Sequence, residues 1–383
     1  MNQNSKINAE YLQIFDKLIT AQLNRAERLK HDECFTDFTS LEKIIVGIIP
    51  GDGIGPVIMT EAVKILNILL KDELESGKIE LRPIDGLTLE HRAATGETVP
   101  KEVLAAIQRC HVLLKGPTTT PDKNSGLPNL ESANVTLRKE LDLFANVRPV
   151  SIPELGIDWT FYRENTEGEY SLGSSGIAVS DDLSVDFKVT TTAGTMRIAR
   201  AAFEFAKANG KTRVSIVTKA NIMKKTDGKF LDLCYRVAKE YPKIKTDDWY
   251  VDIMAANLVN PEIRADFQVF ILPNLYGDII TDEAAQIQGG VGTAGSANVG
   301  SRYAMFEAIH GSAPRMVADG LADKANPASI LKAAVMLLRH IGRPEKADRL
   351  DRAVNAASSL LDMTGTPESS SAAEFSDAVL SNL

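Results

Sequence analysis

The sequence is poor in cysteine, in long apolar runs and in positive charge, and each shortage closes off a class of function. Its three cysteines, Cys34, Cys110 and Cys234, stand far apart in no metal-ligand or redox spacing. They read as buried thiols of a reducing compartment rather than as disulfides. No apolar stretch approaches the ~18 residues that a membrane span needs. The first residues lack the basic, apolar and small-residue order of a secretory signal. A cytoplasmic location is therefore the expectation. The formal net charge of −8 gives no electrostatic support for a nucleic-acid or anionic-membrane partner. There is no internal repeat, and the longest low-complexity run is the Ser369–Ser371 patch.

What is present suits a soluble enzyme. With 383 residues, 44% of them hydrophobic and 25% charged, the chain can build one large α/β domain or two lobes sharing a cleft. Residues 1–43 stand apart. Tyr11, Leu12, Phe15, Leu18, Ile19 and Leu23 recur at helical spacing, which predicts one amphipathic helix followed by a loop. Glu10, Asp16 and Glu27 argue against a transit peptide. From Lys43 onward strands and helices alternate. Strands are expected at Lys43–Ile49, Val112–Leu114, Val214–Val217 and Phe267–Leu272, and helices at Val103–Ile107, Lys229–Lys239 and Ile330–Ile341. Such alternation predicts an α/β architecture with a largely parallel, helix-covered sheet.

The glycines of Gly51–Pro56 fall as G-x-G-x-G-P. That is not the dinucleotide fingerprint G-x-G-x-x-G, and taken alone it reads as a tight strand-to-helix turn. The stretch 132–170 is richer, with Ser132, Asn134, Arg138, Arg148, Arg163 and Tyr170. Ser132–Leu143 reads as a helix that puts Asn134 and Arg138 on one face. Planar guanidinium forks suit bidentate capture of carboxylates, although any single one of these arginines reads more readily as solvated surface charge. Asp278 and Asp282, spaced by four at the expected start of a helix after the Asn274–Gly277 turn, offer hard oxygen ligands for Mg²⁺. They would serve as well as caps and dipole partners. Lys219 follows a strand, at the carboxyl end where α/β proteins bind ligands. His310 lies in a glycine-containing loop and by itself indicates nothing definite.

Taken together, several segments resemble the isocitrate and isopropylmalate dehydrogenase family, from about Lys43 to the C-terminus. They are Gly51–Pro56, Lys115-Gly116-Pro117, Arg138–Leu143, Ala145–Pro149, Arg163–Gly168, Lys219–Met223, Asn274–Asp278, His310–Pro314 and Asn326-Pro327. Each is weak alone, but their joint occurrence in the family's order is very specific. The resemblance implies a two-lobed α/β fold distinct from the Rossmann fold, with a mixed sheet, helices on both faces and a small clasp. Its expected layout is an extension over 1–43, a large cofactor-binding lobe from 44–143 and 289–383, and a small lobe over 144–288 with a dimer clasp at about 168–191. It further implies a homodimer, or a higher oligomer built from it, with shared active sites.

Carried over residue by residue, the resemblance implies that Ser132, Asn134, Arg138, Arg148, Arg163 and Asn221 bind substrate. Tyr170, Lys219 and Asp252 would be catalytic. Asp278 and Asp282 would hold Mg²⁺ or Mn²⁺, completed by Asp252 of the partner subunit. The cofactor would meet Ile54, Thr119, Glu307, His310, Gly311, Ser312, Ala313, Arg315 and Asn326. Ser132 and Asn134 match a substrate carboxylate rather than an isopropyl group, so isocitrate is the expected substrate. The segment Leu361–Glu368 carries no cation for a 2′-phosphate, which favours NAD. Arg315, standing where NAD-using relatives often carry an acid, argues for NADP. Two other readings compete: a dehydrogenase of isopropylmalate or another 3-substituted malate, and a non-catalytic regulatory subunit. The presence of Tyr170, Lys219, Asp252, Asp278 and Asp282 speaks against the last.

Overall fold

The computed structural model describes residues 9–29, 35–121, 126–128, 130–172, 175–290 and 294–383; Cys34 lies outside them. The chain forms two compact units. The first comprises Met1–Cys34 and Glu154–Thr281, and the second Phe35–Pro153 and Asp282–Leu383. These boundaries fall about ten residues from the edges expected from sequence, and the N-terminal extension groups with the first unit. The sequence shows no linker at 153/154 or at 281/282, because those two crossings run through a 3-10 turn and through the helix Asn274–Ile287.

The second unit is built on strands β1 (Ile44–Ile49), β2 (Ile79–Pro83), β3 (Val112–Lys115), β4 (Ala145–Ile152), β11 (Gly295–Val299) and β12 (Ala304–Ala308). Their order is β2-β1-β3-β12-β11-β4. β1, β2, β3 and β12 run parallel, whereas β11 is antiparallel to both β12 and β4. The expected parallel sheet is therefore interrupted, because only Gly300–Tyr303 separates β11 from β12 and so short a connection forces a hairpin. Side chains alternate between the two faces of this sheet. Val46, Val112, Leu114 and Phe306 enter one apolar cluster, and Ile49, Leu113 and Met305 enter another.

Helices α2 (Gly55–Leu69), α3 (Lys71–Glu75), α4 (Leu89–Thr95), α5 (Lys101–Ile107), α6 (Ala133–Glu140), α11 (Pro314–Ala318), α12 (Ala328–His340), α13 (Pro344–Leu360) and α14 (Ala372–Ser381) complete this unit. α12 is apolar almost all round, with Ile330, Leu331, Ala334 and Leu338 fully covered, as befits a central helix. α14 opens with a capping box, in which Ser371 and Glu374 satisfy each other's backbone N–H groups.

The first unit carries β5 (Ile157–Glu164), β8 (Arg213–Thr218), β9 (Lys245–Tyr250) and β10 (Val269–Leu272), all parallel in the order β5-β10-β8-β9. A separate antiparallel hairpin joins β6 (Ile177–Ser180) to β7 (Leu183–Val185). Its helices are α1 (Ala9–Arg28), α7 (Thr192–Ala208), α8 (Thr226–Ala238) and α9 (Val251–Val259), while α10 (Asn274–Ile287) begins in this unit and ends in the second. Aromatic packing fills the sheet face: Phe161 stacks on Phe270 with centroids 4.3 Å apart, and Trp159 meets both edge-on.

Several sequence expectations need adjustment. α6 stops at Glu140, earlier than the expected Leu143, and Asp142 takes a left-handed φ of 47°. α10 starts at Asn274, so the expected turn at Asn274–Gly277 is its first turn. Asp278 and Asp282 consequently lie one and two turns into the helix, where a capping role is closed to them. Cys110 and Cys234 are free and buried, and burial raises both thiols. Among the described residues no helix is long and apolar enough to cross a membrane.

At Gly295, β11 meets α12 with no side chain between them. A Cβ placed on Gly295 would lie 2.4 Å from the Ala333 backbone nitrogen. The Gly295→Ala variant should therefore unfold at lower urea concentration, with a loss of about 1–3 kcal/mol. An unchanged denaturation midpoint would contradict this packing.

Candidate active site

In the second unit three loops converge on the carboxylate of Asp52. Asp52 is 7% exposed. It accepts hydrogen bonds from the backbone N–H of Leu89 and of Thr119, both at 2.7 Å, and from the Arg92 guanidinium at 3.2 Å. Arg92 is fully buried and also donates to the Thr119 carbonyl at 2.6 Å. The Ile54 N–H reaches the Ser312 carbonyl at 3.1 Å, and the Thr119 and Ser312 hydroxyls share a 2.7 Å hydrogen bond.

The glycines of Gly51–Pro56 do more than turn the chain. A Cβ on Gly51 would lie 2.1 Å from the Pro117 carbonyl oxygen, and one on Gly53 would lie 2.0 Å from that of Ser312. The simple-turn reading thus misses their main use, which is close backbone approach.

The expected cofactor residues Ile54, Thr119, Ser312 and Ala313 therefore come together. Ile54 contributes only its backbone, since its side chain is buried in the core. Ala313 takes a φ of 47° despite its Cβ, a strained conformation of the kind that gathers at functional loops. Gly311 has open space where a Cβ would stand. His310 places Nδ1 3.0 Å from the Gly311 carbonyl, and its buried Nε2 has no partner among the described residues. Burial lowers its basicity, against the bond to the Gly311 backbone. Arg315 is exposed in the first turn of α11, and Asn326 accepts from the Ala328 N–H at 2.9 Å.

Glu307 is placed differently from a surface ligand. It is 5% exposed and sits among Lys115 at 3.6 Å, Arg138 at 3.3 Å and Asn298 at 2.8 Å. Burial works to raise its carboxyl, but the Lys115 and Arg138 charges outweigh that and hold it below the usual range. Its carboxylate thereby fixes Arg138. Along α6, Asn134 accepts from Thr118 at 3.1 Å, and Ser132 stands at the helix start with no capping hydrogen bond from its hydroxyl. Arg148 donates to Asp282 at 2.8 Å.

In the first unit Arg163 is 1% exposed, so the surface reading of these arginines fails for it. Its Nε and Nη2 donate to the Asn274 side-chain oxygen at 3.0 and 2.7 Å, and its Nη1 donates to Asp278. The Tyr170 hydroxyl donates to the other oxygen of Asp278 at 2.6 Å. Gly277 makes room, since a Cβ there would lie 2.5 Å from the Arg163 stem. Lys219, just past the end of β8, donates to Asp252 at 2.5 Å, and this bond lowers the Asp252 carboxyl below its ordinary value. Asn221 is exposed in the turn that follows.

Among the described residues no three acids, histidines or cysteines gather to hold a metal. Within one chain Asp252 therefore does not complete a set with Asp278 and Asp282.

Sequence reasoning misses Asp52, Arg92, Lys115 and Asn274 as supports. Asp52, Lys115 and Asn274 stand inside the family's motifs, where each is flanked by glycine or proline. Arg92 lies in an ordinary-looking helical stretch, and nothing local marks it.

A profile of the isocitrate/isopropylmalate dehydrogenase family matches residues 45–379. The chain belongs to this family. It is 42% identical over 315 residues to an isocitrate dehydrogenase [NADP] of Rickettsia prowazekii; that match takes in 79% of the chain but only 61% of the relative's length. It is 39% identical over 333 residues to a mitochondrial regulatory subunit of isocitrate dehydrogenase [NAD] from Dictyostelium discoideum, covering 84% of this chain and 86% of that one. The solved structure of isocitrate dehydrogenase from Methylococcus capsulatus superposes with a TM-score of 0.77 at 33% identity, over 88% of this chain and 99% of that one. The mixed α/β fold expected from the family motifs is thus the fold found.

One buried acid beside Arg163 gives a pH-dependent consequence. Burial, and then the neighbouring Glu167 carboxylate, raise Glu164 to about 7 from an ordinary 4.5, against bonds from Thr166 and the Arg197 charge. Between those values the folded state holds a proton that the unfolded chain has released, so stability falls as pH rises through this window. Glu164→Gln cannot make that loss. Its stability relative to the parent should grow by about 1–3 kcal/mol from pH ~5 to ~8. An equal offset at both pH values in urea titrations would show that Glu164 does not titrate there.

Proposed function

We propose that the protein catalyses the metal-dependent oxidative decarboxylation of isocitrate to 2-oxoglutarate and CO₂ with NAD as oxidant. The observation that carries this reading is that each unit holds covered arginines already fixed by an acid, Arg163 in the first and Arg138 and Arg148 in the second. Guanidinium groups held in this way are pre-organised for a polycarboxylate. Ser132 supports isocitrate over isopropylmalate. Its hydroxyl, free of capping work at the start of α6, offers a donor beside a helix N-terminus, which suits a carboxylate and would be left unpaired against an isopropyl group.

When bound, NAD would accept the hydride from carbon 2 and a divalent cation, Mg²⁺ or Mn²⁺, would polarise the ketone. The remaining work falls to this chain. Lys219 or Asp252, both reaching in from the partner subunit, takes the hydroxyl proton as the hydride leaves. Loss of CO₂ then leaves an enolate, and Tyr170, lying against Asp278, protonates carbon 3. Asp278 and Asp282 are hard oxygen donors on successive turns of α10 and fit such a cation. Asp252 of the partner subunit would supply the third carboxylate, which makes a homodimer with shared sites part of the proposal. Ile54, Thr119, His310, Gly311, Ser312, Ala313, Arg315 and Asn326 would line the cofactor, with Glu307 placed behind them on Arg138. Asn221 would meet substrate.

The choice of NAD rests on the loop after α13. Gly365 approaches Met316, the residue next to Arg315, closely enough that a Cβ would lie 2.9 Å from the methionine methyl. The stretch Leu361–Glu368 that makes this approach contains only negative charges, Asp362 and Glu368. Arg315 would then face a 2′-phosphate with no second cation from that stretch. The Rickettsia relative, whose name specifies NADP, favours the other cofactor.

Two measurements test the proposal. With Mg²⁺ present, kcat/KM should be highest for isocitrate with NAD, at least about tenfold above isopropylmalate or NADP. An NADP preference abolished by Arg315→Asp would reverse the cofactor assignment, and absence of turnover would favour the regulatory-subunit reading. The Asp278→Asn variant should lose turnover on the order of a hundredfold and require more Mn²⁺ for half-activation. Unchanged activity at limiting metal would remove Asp278 from the metal site.

A further inference from the structure

The family match begins at residue 45, so α1 lies outside it and supplies none of the residues assigned above. The helix is nevertheless fastened to the first unit near both of its ends. The Tyr11 hydroxyl donates to the Val179 carbonyl at 2.9 Å, and the Phe15 ring lies 5.9 Å from that of Phe187. Near the other end Arg25 donates to the Glu167 carboxylate at 2.8 Å and to the Thr166 hydroxyl at 2.9 Å. None of the helix's own residues is buried. Directed contacts such as these therefore matter more to its seating than apolar burial does.

The place where Arg25 lands is the connection between Arg163 and Tyr170. Glu167 is 3% exposed and accepts from the Thr191 N–H at 2.8 Å and from the Thr191 hydroxyl. A Cβ on Gly194 would lie 2.3 Å from its carboxylate, so that carboxylate is closely confined. The Glu167 carbonyl accepts from the Asn274 side chain at 3.0 Å, and this is the same asparagine that holds Arg163. Glu164 is equally buried and accepts from the N–H groups of Thr166 and Glu167. Two covered acids within four residues repel one another unless cations face them. Arg25 answers Glu167 directly, while Arg197 reaches the Thr166 hydroxyl at 3.1 Å.

We propose that Arg25 is a positioning residue for the reaction assigned above. It neutralises Glu167 and clamps Thr166, and so fixes the 164–170 segment that carries Tyr170 to Asp278. The inference rests on the proposed reaction for its kinetic consequence but not for its structural one.

The Arg25→Ala variant of the full chain should show kcat about tenfold lower. Its KM for isocitrate should move less than about twofold, because Arg163 stays held by Asn274 within β5. Arg25→Lys keeps the ion pair with Glu167 and should recover most of the lost kcat. Amide hydrogen exchange across 164–172 should quicken in Arg25→Ala and not in Arg25→Lys. A parental kcat in Arg25→Ala, or a loss matched by the unfolded fraction, would overturn the proposal. So would unchanged exchange in that segment, a readout that needs no substrate. If the parent chain turned over no substrate while the exchange result held, the reaction assignment alone would fall and Arg25 would stand as the clamp of this segment.

Discussion

A guanidinium buried as deeply as that of Arg163 must be matched by acceptors on nearly all its N–H groups, because an unpaired charge away from water costs several kcal/mol. Asn274 and Asp278 meet that requirement from one helix, and the requirement shapes what surrounds them. It sets where α10 starts, since Asn274 must be its first residue to present the side-chain oxygen. It also demands glycine at position 277, where the arginine stem passes. Asn274 in turn grips the Glu167 carbonyl, so the backbone leading to Tyr170 inherits its position from the same pairing. Arg138 with Glu307, and Arg148 with Asp282, repeat the device in the second unit. The acids that neutralise these arginines hold them in place ahead of any anionic ligand.

Much of this is legible in the sequence, and the part that is not has identifiable causes. Apolar runs such as Ile44–Ile49 and Val112–Leu114 mark strands because covered strands are continuously hydrophobic. The motif residues are recognisable together because the family's motifs carry arginines, acids and a tyrosine in a set order. The antiparallel β11 is not legible, since its direction follows from a short connection rather than from composition. Nor is the start of α10, because Pro273-Asn274 resembles a turn and the helix there answers to Arg163. Surface and buried arginines look alike in sequence, and burial is decided by partners more than a hundred residues away.

Glycine illustrates the same limit. The spacing in Gly51–Pro56 reads as a turn, which is its local meaning. Its other meaning lies in the carbonyls of Pro117 and Ser312, which approach from distant segments to within reach of any side chain placed there. The buried Asp52 between these loops serves as their common acceptor. A carboxylate in such a place binds three chain segments at once, and its removal would release all of them together.

The sheet order of the second unit also bears on how the protein emerges during synthesis. β12 and β11 stand between β3 and β4, although they are made roughly 180 residues after β3 and 145 after β4. The host unit therefore cannot close until nearly the whole chain has been released. The segment 154–281, by contrast, supplies the adjacent strands β5, β10, β8 and β9 without interruption. Local completeness favours early folding, and long-range pairing delays it. The ribosome thus delivers a nearly finished first unit while β3 and β4 await β12 and β11. For that interval β3 presents an open, apolar edge, which makes the incomplete second unit the stage most exposed to aggregation and to chaperone capture.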